Sequence, residues 1–205
     1  MDGTLLDSEH LTDAAVRSVL AQHGVDLTVD SSRFYGVTWA QAAQTLQSLA
    51  PELAHLPLEA QLQAEFHTQL VNTVPPVIAG APQAVMAAAQ RVGTALVSSS
   101  NRASVEHVVA RLGLAEHLQY LVCAEDCQRS KPDPQCYQRA AQSLGVDCAH
   151  CLVFEDSVAG LAAAKAAGMR TIAIRPPAGA PVTADLVVSD FTQLPAGFFE
   201  QIGVQ

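Results

Sequence analysis

From Gly80 onward, short apolar runs alternate with helical segments of about ten residues. The apolar runs fall at residues 94–97, 120–123, 152–154, 171–174 and 185–188. The segments with helical spacing fall at residues 82–91, 105–112, 134–144 and 158–167. Gly113, Gly145 and Gly168 follow three of them, where glycine commonly ends a helix. Strands that alternate with helices favour a parallel sheet with right-handed crossovers, so we expect an α/β domain.

The stretch from about residue 8 to residue 74 shows helical patterns and no strand pattern. Its first helix is predicted to end before Gly24, and two more are predicted at residues 39–49 and 58–71. Pro75 and Pro76 then form a stiff boundary. The predicted division is a discontinuous core of residues 1–11 and 77–205, and an inserted all-helical cap of residues 12–76.

The composition narrows the class of protein. Hydrophobic residues make up 49% of the 205 residues and charged ones 15%, so the chain can bury a core. The formal net charge is -9, and Lys131 and Lys165 are the only lysines, so we expect no nucleic-acid partner. No apolar run approaches the ~18 residues of a membrane span. Five cysteines, an odd number, suit a reducing compartment, so we expect a cytoplasmic protein without membrane contact.

Polar side chains gather at the ends of the predicted strands, where α/β sheets bind ligands. The segments are residues 1–8, 98–101, 130–134 and 155–157. Glu155 and Asp156 offer the hard oxygen ligands that Mg²⁺ prefers. Ser98 and the N–H groups of the helix after it can hold phosphate oxygens, and Lys131 adds a positive charge. Each segment alone also fits a turn or a helix cap, but together they predict a site for Mg²⁺ and phosphate.

The chain resembles the haloacid dehalogenase-like hydrolases. Three motifs carry the resemblance: Asp-Gly-Thr-Leu-Leu-Asp-Ser-Glu, Ser-Lys-Pro-Asp-Pro and Glu-Asp-Ser-Val-Ala-Gly. They are similar to those of the β-phosphoglucomutase-like and phosphoglycolate phosphatase-like branch with a helical cap. The resemblance covers nearly the whole chain and implies a Rossmann-like parallel sheet core with an inserted helical cap.

The resemblance also implies a role for each matching residue. Asp2 would be the general acid and base, with its backbone carbonyl on Mg²⁺, and Lys131 would steady the nucleophile and the phosphate. Asp156 would bind the metal directly, with Glu155 close by or acting through water. The residues implied to contact the substrate or its phosphate are Thr4, Gly36, Trp39, Ser98, Ser99, Asn101 and Lys131. Among them, Gly36 and Trp39 belong to the cap loop that recognises the substrate in this branch.

The sequence departs from the family's Asp-x-Asp-Gly-Thr motif at its first position, because Met1 occupies the x position. The nucleophilic aspartate that becomes phosphorylated, and the apolar strand that leads into it, would precede Met1. We therefore expect the chain as written to be inactive and to leave two internal strand edges unpaired. We also expect that its start codon was assigned several residues too late, with a truncated or non-catalytic protein as the alternative.

Three functions are compatible with these residues. The first is a Mg²⁺-dependent phosphatase that hydrolyses a small phosphorylated metabolite through an aspartyl-phosphate intermediate. The second is a phosphomutase, although the cap loop has no basic residue where the resemblance implies an arginine in mutases. The third is a non-catalytic phosphometabolite-binding protein. The substrate stays open between a sugar phosphate and a small acid such as phosphoglycolate, and Trp39 could stack on a sugar or pack within the cap.

Overall fold

Five short strands alternate with helices in the second half of the chain, as the sequence predicts. A computed structural model describes residues 1–34, 37–177, 179 and 181–201. Its strands are β1 (Ala95–Val97), β2 (Tyr120–Val122), β3 (Leu152–Glu155), β4 (Arg170–Ile174) and β5 (Leu186–Val188). These bounds lie within one residue of the predicted ones, because each strand is an apolar run bounded by polar or turn residues.

The α-helices alternate with these strands along the chain, and the first four precede β1. They are α1 (Glu9–Gln22), α2 (Trp39–Leu49), α3 (Leu58–Asn72), α4 (Ala81–Ala89), α5 (Arg102–Arg111), α6 (Gln135–Leu144), α7 (Val158–Ala166) and α8 (Phe198–Gln201). Helix α6 shows why a glycine ends a predicted helix. It ends at Gly145, whose φ of 70° lies in the left-handed region that side chains rarely adopt.

All strand pairs are parallel, but they form two sheets. Strand β1 pairs with β2, aligning Leu96 with Leu121. The second sheet has the order β3-β4-β5, with Phe154 opposite Ile172. Within the described residues no strand lies between β1 and β3, and all three residues of β1 are only partly buried. The α/β fold with parallel strands is confirmed. The missing strand stays a prediction.

Residues 1–6 form a tight turn just before the chain enters the helical segment. The carbonyl oxygen of Met1 accepts hydrogen bonds from the N–H groups of Thr4, Leu5 and Leu6. The following residues run alongside the segment that returns from α3. There the N–H of Asp7 donates to the carbonyl of Pro76 at 2.8 Å. This hydrogen bond therefore holds the segment that leads into α1 beside the segment that follows α3.

Helices α1, α2 and α3 enclose a hydrophobic cluster of their own. Its buried members are Val16, Val19, Leu20, Phe34, Ala42, Ala43, Leu46, Ala50, Leu53, Leu58 and Leu62. Other residues of α1 and α3, such as Leu11 and Phe66, belong instead to the cluster under the sheets. The helical segment thus has an interior and a face against the core. The predicted boundaries at residues 11–12 and 76–77 stay a prediction.

Two further sequence expectations concern the environment of the protein. No helix among residues 1–34, 37–177, 179 and 181–201 is long and apolar enough to cross a bilayer. All five cysteines are free thiols. The cytoplasmic location stays a prediction.

Truncation of Leu62 to alanine tests the interior of the helical segment. Leu62 is fully buried, so Leu62→Ala should lower the free energy of unfolding by about 2–5 kcal/mol in urea denaturation. Leu49, at the end of α2, is 42% exposed and is a matched control. Leu49→Ala should cost about 1 kcal/mol or less. Equal losses for the two variants would contradict the packing described for α1, α2 and α3.

Candidate active site

A cavity opens where the carboxyl ends of β1 and β3 meet the first turns of α1 and α2. Its volume is about 70 Å³. It is lined by Met1, Asp2, Gly3, Glu9, Thr12, Phe34, Val37, Trp39, Phe66, Ser98, Ser99, Ser100, Lys131, Glu155, Asp156 and Ser157. Parallel strands carry their ligand-binding residues at this edge of a sheet. The cavity therefore brings together residues from all four of the segments identified in the sequence.

The carboxylate of Asp2 is held by two serine hydroxyls. The Oγ of Ser8 donates to its Oδ1 at 2.6 Å, and the Oγ of Ser100 donates to its Oδ2 at 2.7 Å. Both hydrogen bonds are short, and the two serines come from separate segments of the chain, so the orientation of the carboxylate is fixed. Within the described residues, no hydrogen bond ends on the backbone carbonyl of Asp2. That oxygen is available to a ligand.

Lys131 and Glu155 form a buried ion pair. The Nζ of Lys131 donates to Oε1 of Glu155, and the hydroxyl of Tyr137 donates to the same oxygen at 3.0 Å. Burial works to raise the pKa of Glu155, but the charge of Lys131 overcomes it and holds that pKa at about 2. Burial works to lower the pKa of Lys131, and Glu155 more than reverses this. Both groups are therefore charged at neutral pH.

The second oxygen of Glu155 is occupied as well. Its Oε2 accepts hydrogen bonds from the N–H groups of Asp156 and Ser157 at 2.9 Å each, and from the Oγ of Ser157 at 3.0 Å. The backbone of α7 approaches closely at Gly160, where an added Cβ would overlap the Glu155 carboxylate. Because both oxygens have partners, this geometry suits a residue that positions Lys131 and the start of α7.

Asp156 differs from its neighbour, because within the described residues its carboxylate accepts one hydrogen bond. The Oγ1 of Thr4 donates to its Oδ1 at 2.6 Å. Burial, followed by the negative charge of Glu155, raises the pKa of Asp156 to about 7. Gly3 lies against this carboxylate with a φ of 68°, and an added Cβ there would overlap it. The turn at Gly3 thus leaves space beside Asp156 that only a glycine provides.

The arrangement can hold a cation through few protein ligands. In the described part of the chain, no three side chains of His, Cys, Asp or Glu are grouped as a metal cluster. The available oxygens are those of the Asp156 carboxylate, which accepts one hydrogen bond from Thr4 in the described residues, and the backbone carbonyl of Asp2. Mg²⁺ commonly takes one or two carboxylates and keeps several waters, so this donor set fits it. Positive charge beside Asp156 would also favour its ionised form.

The serine segment after β1 turns sharply into α5. The Oγ of Ser98 accepts the N–H of Ser100 at 3.1 Å, and Ser98 and Ser99 line the cavity. Asn101 does not line it. Its side-chain oxygen instead accepts the N–H of Ser104 at 2.8 Å and caps α5. Of the residues expected to contact phosphate, Thr4 also lies outside the cavity lining, because its hydroxyl supports Asp156.

The helical segment contributes an aromatic wall. The rings of Trp39 and Phe66 lie with centroids 5.2 Å apart and planes tilted by 52°. Trp39 is placed here because Thr38 and Gln41 form a capping box that starts α2 at this residue. Trp39 contacts both hydrophobic clusters and also lines the cavity, so its packing leaves part of the ring facing the site. Gly36 lies outside the described residues.

Several lining residues were missed by the sequence analysis. Ser100 lies in the polar segment of residues 98–101 but is not among the residues predicted to contact phosphate, and Phe66 lies in the helix predicted at residues 58–71 without a predicted role. Glu9 and Thr12 are three residues apart at the start of α1, so they share one helix face. That spacing, directly after the first motif, was the available signal.

Comparison with known proteins assigns the family. The model of the haloacid dehalogenase-like hydrolases matches residues 1–168. Hexitol phosphatase B of Escherichia coli (strain K12) is 33% identical over 208 aligned positions, which cover 96% of this chain and 92% of that protein. Validoxylamine A 7'-phosphate phosphatase of Streptomyces hygroscopicus subsp. limoneus is 31% identical over 199, covering 95% and 92%. The chain belongs to the haloacid dehalogenase-like hydrolases, and it is a phosphatase of this family.

A solved structure agrees on the fold. β-Phosphoglucomutase from Clostridium difficile superposes with a TM-score of 0.79 at 18% identity, covering 98% of this chain and 93% of that one. The likeness confirms the Rossmann-like architecture with a helical cap. It concerns the fold alone.

Removal of the Lys131 charge tests the buried ion pair. Lys131→Met leaves Glu155 charged and buried without its main partner, so it should lower the free energy of unfolding by about 3–5 kcal/mol. Lys165 is exposed, and Lys165→Met is the matched control with an expected change of about 0.5 kcal/mol or less. Urea denaturation of both variants measures the difference. A stability of Lys131→Met equal to the control would contradict the pairing.

Proposed function

We propose that the protein is a Mg²⁺-dependent phosphatase that hydrolyses a small phosphomonoester. The observation that carries this proposal is the convergence of Asp2, Ser98, Lys131 and Asp156 on one cavity. A basic group, hydroxyls and backbone N–H groups suit the phosphate, and carboxylates suit a divalent cation. Both relatives compared above are named as phosphatases, which supports the same reaction.

Asp156 and the backbone carbonyl of Asp2 would hold the magnesium ion. When bound, Mg²⁺ would neutralise part of the charge of the phosphate and so help the approach of an anionic nucleophile. Ser98, Ser99 and Lys131 would bind the phosphate oxygens. Glu155 would keep Lys131 charged and in place through the buried ion pair.

Asp2 would transfer the protons of the reaction. A carboxylate attacks phosphorus, the ester P–O bond breaks, and Asp2 gives its proton to the leaving oxygen. Asp2 then takes a proton from water, and the water oxygen attacks phosphorus. This second step releases inorganic phosphate and restores the carboxylate. The hydroxyls of Ser8 and Ser100 would keep Asp2 aimed at the ester in both steps.

We propose further that the attacking carboxylate belongs to the position directly before Met1. Met1 is buried and lines the cavity with Lys131, Glu155 and Asp156, and a preceding residue would be attached to its backbone nitrogen. A residue joined to this nitrogen would stand next to Lys131 and the cation site. An apolar segment before it would pair with the open edges of β1 and β3.

The cavity favours hydrolysis over the transfer of a phosphate between two positions of a sugar. A phosphomutase must hold two phosphate groups at once. Lys131 is the only basic side chain among the described lining residues, so this lining offers a basic partner to one phosphate group. A non-catalytic binding protein would keep the same cavity, and it is distinguished by the absence of turnover.

Binding of inorganic phosphate tests the cation requirement. Isothermal titration with phosphate should show affinity that falls by about tenfold or more when Mg²⁺ is replaced by a chelator, because the phosphate charge is then uncompensated. Asp156→Asn should cause a similar loss with Mg²⁺ present. Asp133 pairs with Arg129 outside the cavity, so Asp133→Asn should bind phosphate normally. Phosphate affinity that is independent of Mg²⁺ would contradict the proposal.

A further inference from the structure

Two polar side chains face the cavity without a use in the chemistry proposed above. Glu9 and Thr12 lie on the first turns of α1 and both line the cavity. Neither makes a side-chain hydrogen bond or ion pair with any other residue in the described part of the chain. A negative charge at the start of a helix is favourable in itself, but that does not account for a carboxylate that faces a binding cavity.

The environment of Glu9 is partly desolvated. It is partly buried, and burial, followed by the charge of Asp7, raises its pKa. A partly buried carboxylate is stabilised most by uncharged groups that donate hydrogen bonds to its oxygens. Hydroxyl groups of a ligand are such donors, and the hydroxyl of Thr12 can both donate and accept beside them.

The charges around the cavity are unbalanced. Its acidic members are Asp2, Glu9, Glu155 and Asp156, whereas Lys131 is the only basic side chain of the described lining. One phosphate group can be accommodated by Lys131 and a bound cation. Arg175 acts electrostatically on Glu9 from outside this lining, where it is paired with Asp7. A second anionic group on the same ligand would therefore meet the carboxylate of Glu9 with no further basic side chain in the described lining.

The arrangement of two adjoining cavities places Glu9 beside the path from the phosphate to the rest of a ligand. At about 70 Å³, the first cavity holds about five water-sized groups, which is close to the size of a phosphate. A wider cavity of about 430 Å³ adjoins it, and the two share Glu9, Asp156 and Ser157. A ligand whose phosphate lies in the first cavity therefore has Glu9 beside its adjacent atoms.

We propose that Glu9 and Thr12 bind hydroxyl groups of the substrate, and that Glu9 selects neutral polyhydroxylated monophosphates over phosphate esters that carry a second negative charge. The inference rests on the proposed function, because it places the phosphate of the substrate at Lys131.

Isothermal titration of the 205-residue protein with Mg²⁺ tests the inference, with inorganic phosphate, mannitol 1-phosphate and phosphoglycolate as probes. Mannitol 1-phosphate should bind about tenfold more tightly than phosphoglycolate. Glu9→Gln should strengthen phosphoglycolate binding by about tenfold and change mannitol 1-phosphate binding by less than about threefold, because the amide oxygen still accepts hydrogen bonds. Glu9→Ala should weaken only mannitol 1-phosphate, by about tenfold.

Glu59 provides the matched control. It lies on the first turn of α3 as Glu9 does on α1, but it is exposed and away from the cavity, so Glu59→Gln should leave all three affinities unchanged. Two results would overturn the inference alone: phosphate binds but mannitol 1-phosphate has no advantage, or Glu9→Gln alters both esters equally. Failure of inorganic phosphate itself to bind would overturn the proposed function and this inference with it.

Discussion

Charged groups at the end of β3 are buried, and each needs a partner. Glu155 satisfies its two oxygens with Lys131, Tyr137 and the first residues of α7, so one strand end fixes the lysine and the start of a helix together. In the part of the chain that the structure describes, the carboxylate of Asp156 accepts a hydrogen bond from Thr4 alone. One carboxylate of the pair is therefore closed off as a structural group, and the next one is left facing the cavity where a cation would be most stabilising.

The same cavity lies at the gap between the two sheets. Within the described residues, β1 and β3 each pair with one strand, and the turn of residues 1–6 reaches the segments that follow both of them. Asp2 accepts a hydrogen bond from Ser100, and Thr4 donates one to Asp156. Open parallel edges in the interior of an α/β layer are unusual, because each leaves backbone N–H and C=O groups without ladder partners. The gap therefore adjoins the site, and we propose that a strand pairing there would place its last residue beside Lys131 and Asp156.

Much of the fold could be predicted because the signals are local. Apolar runs and terminal glycines mark the strands and helices to within a few residues, and strand ends gather Ser98, Lys131 and Asp156 at one edge. The use of each side chain was not predictable, because it depends on distances between elements. Asn101 caps a helix instead of reaching the cavity, and Glu155 is saturated by donors that no motif spacing shows.

The central claim is that a strand ending in a carboxylate completes this site. The most direct measurement is phosphate release from mannitol 1-phosphate with Mg²⁺, after fusion of a short apolar β-branched segment ending in aspartate directly before Met1. The account predicts turnover by this protein and none when that aspartate is replaced by asparagine or when the chain starts at Met1. Equal turnover by the aspartate and asparagine forms, or turnover by the chain that starts at Met1, would contradict it.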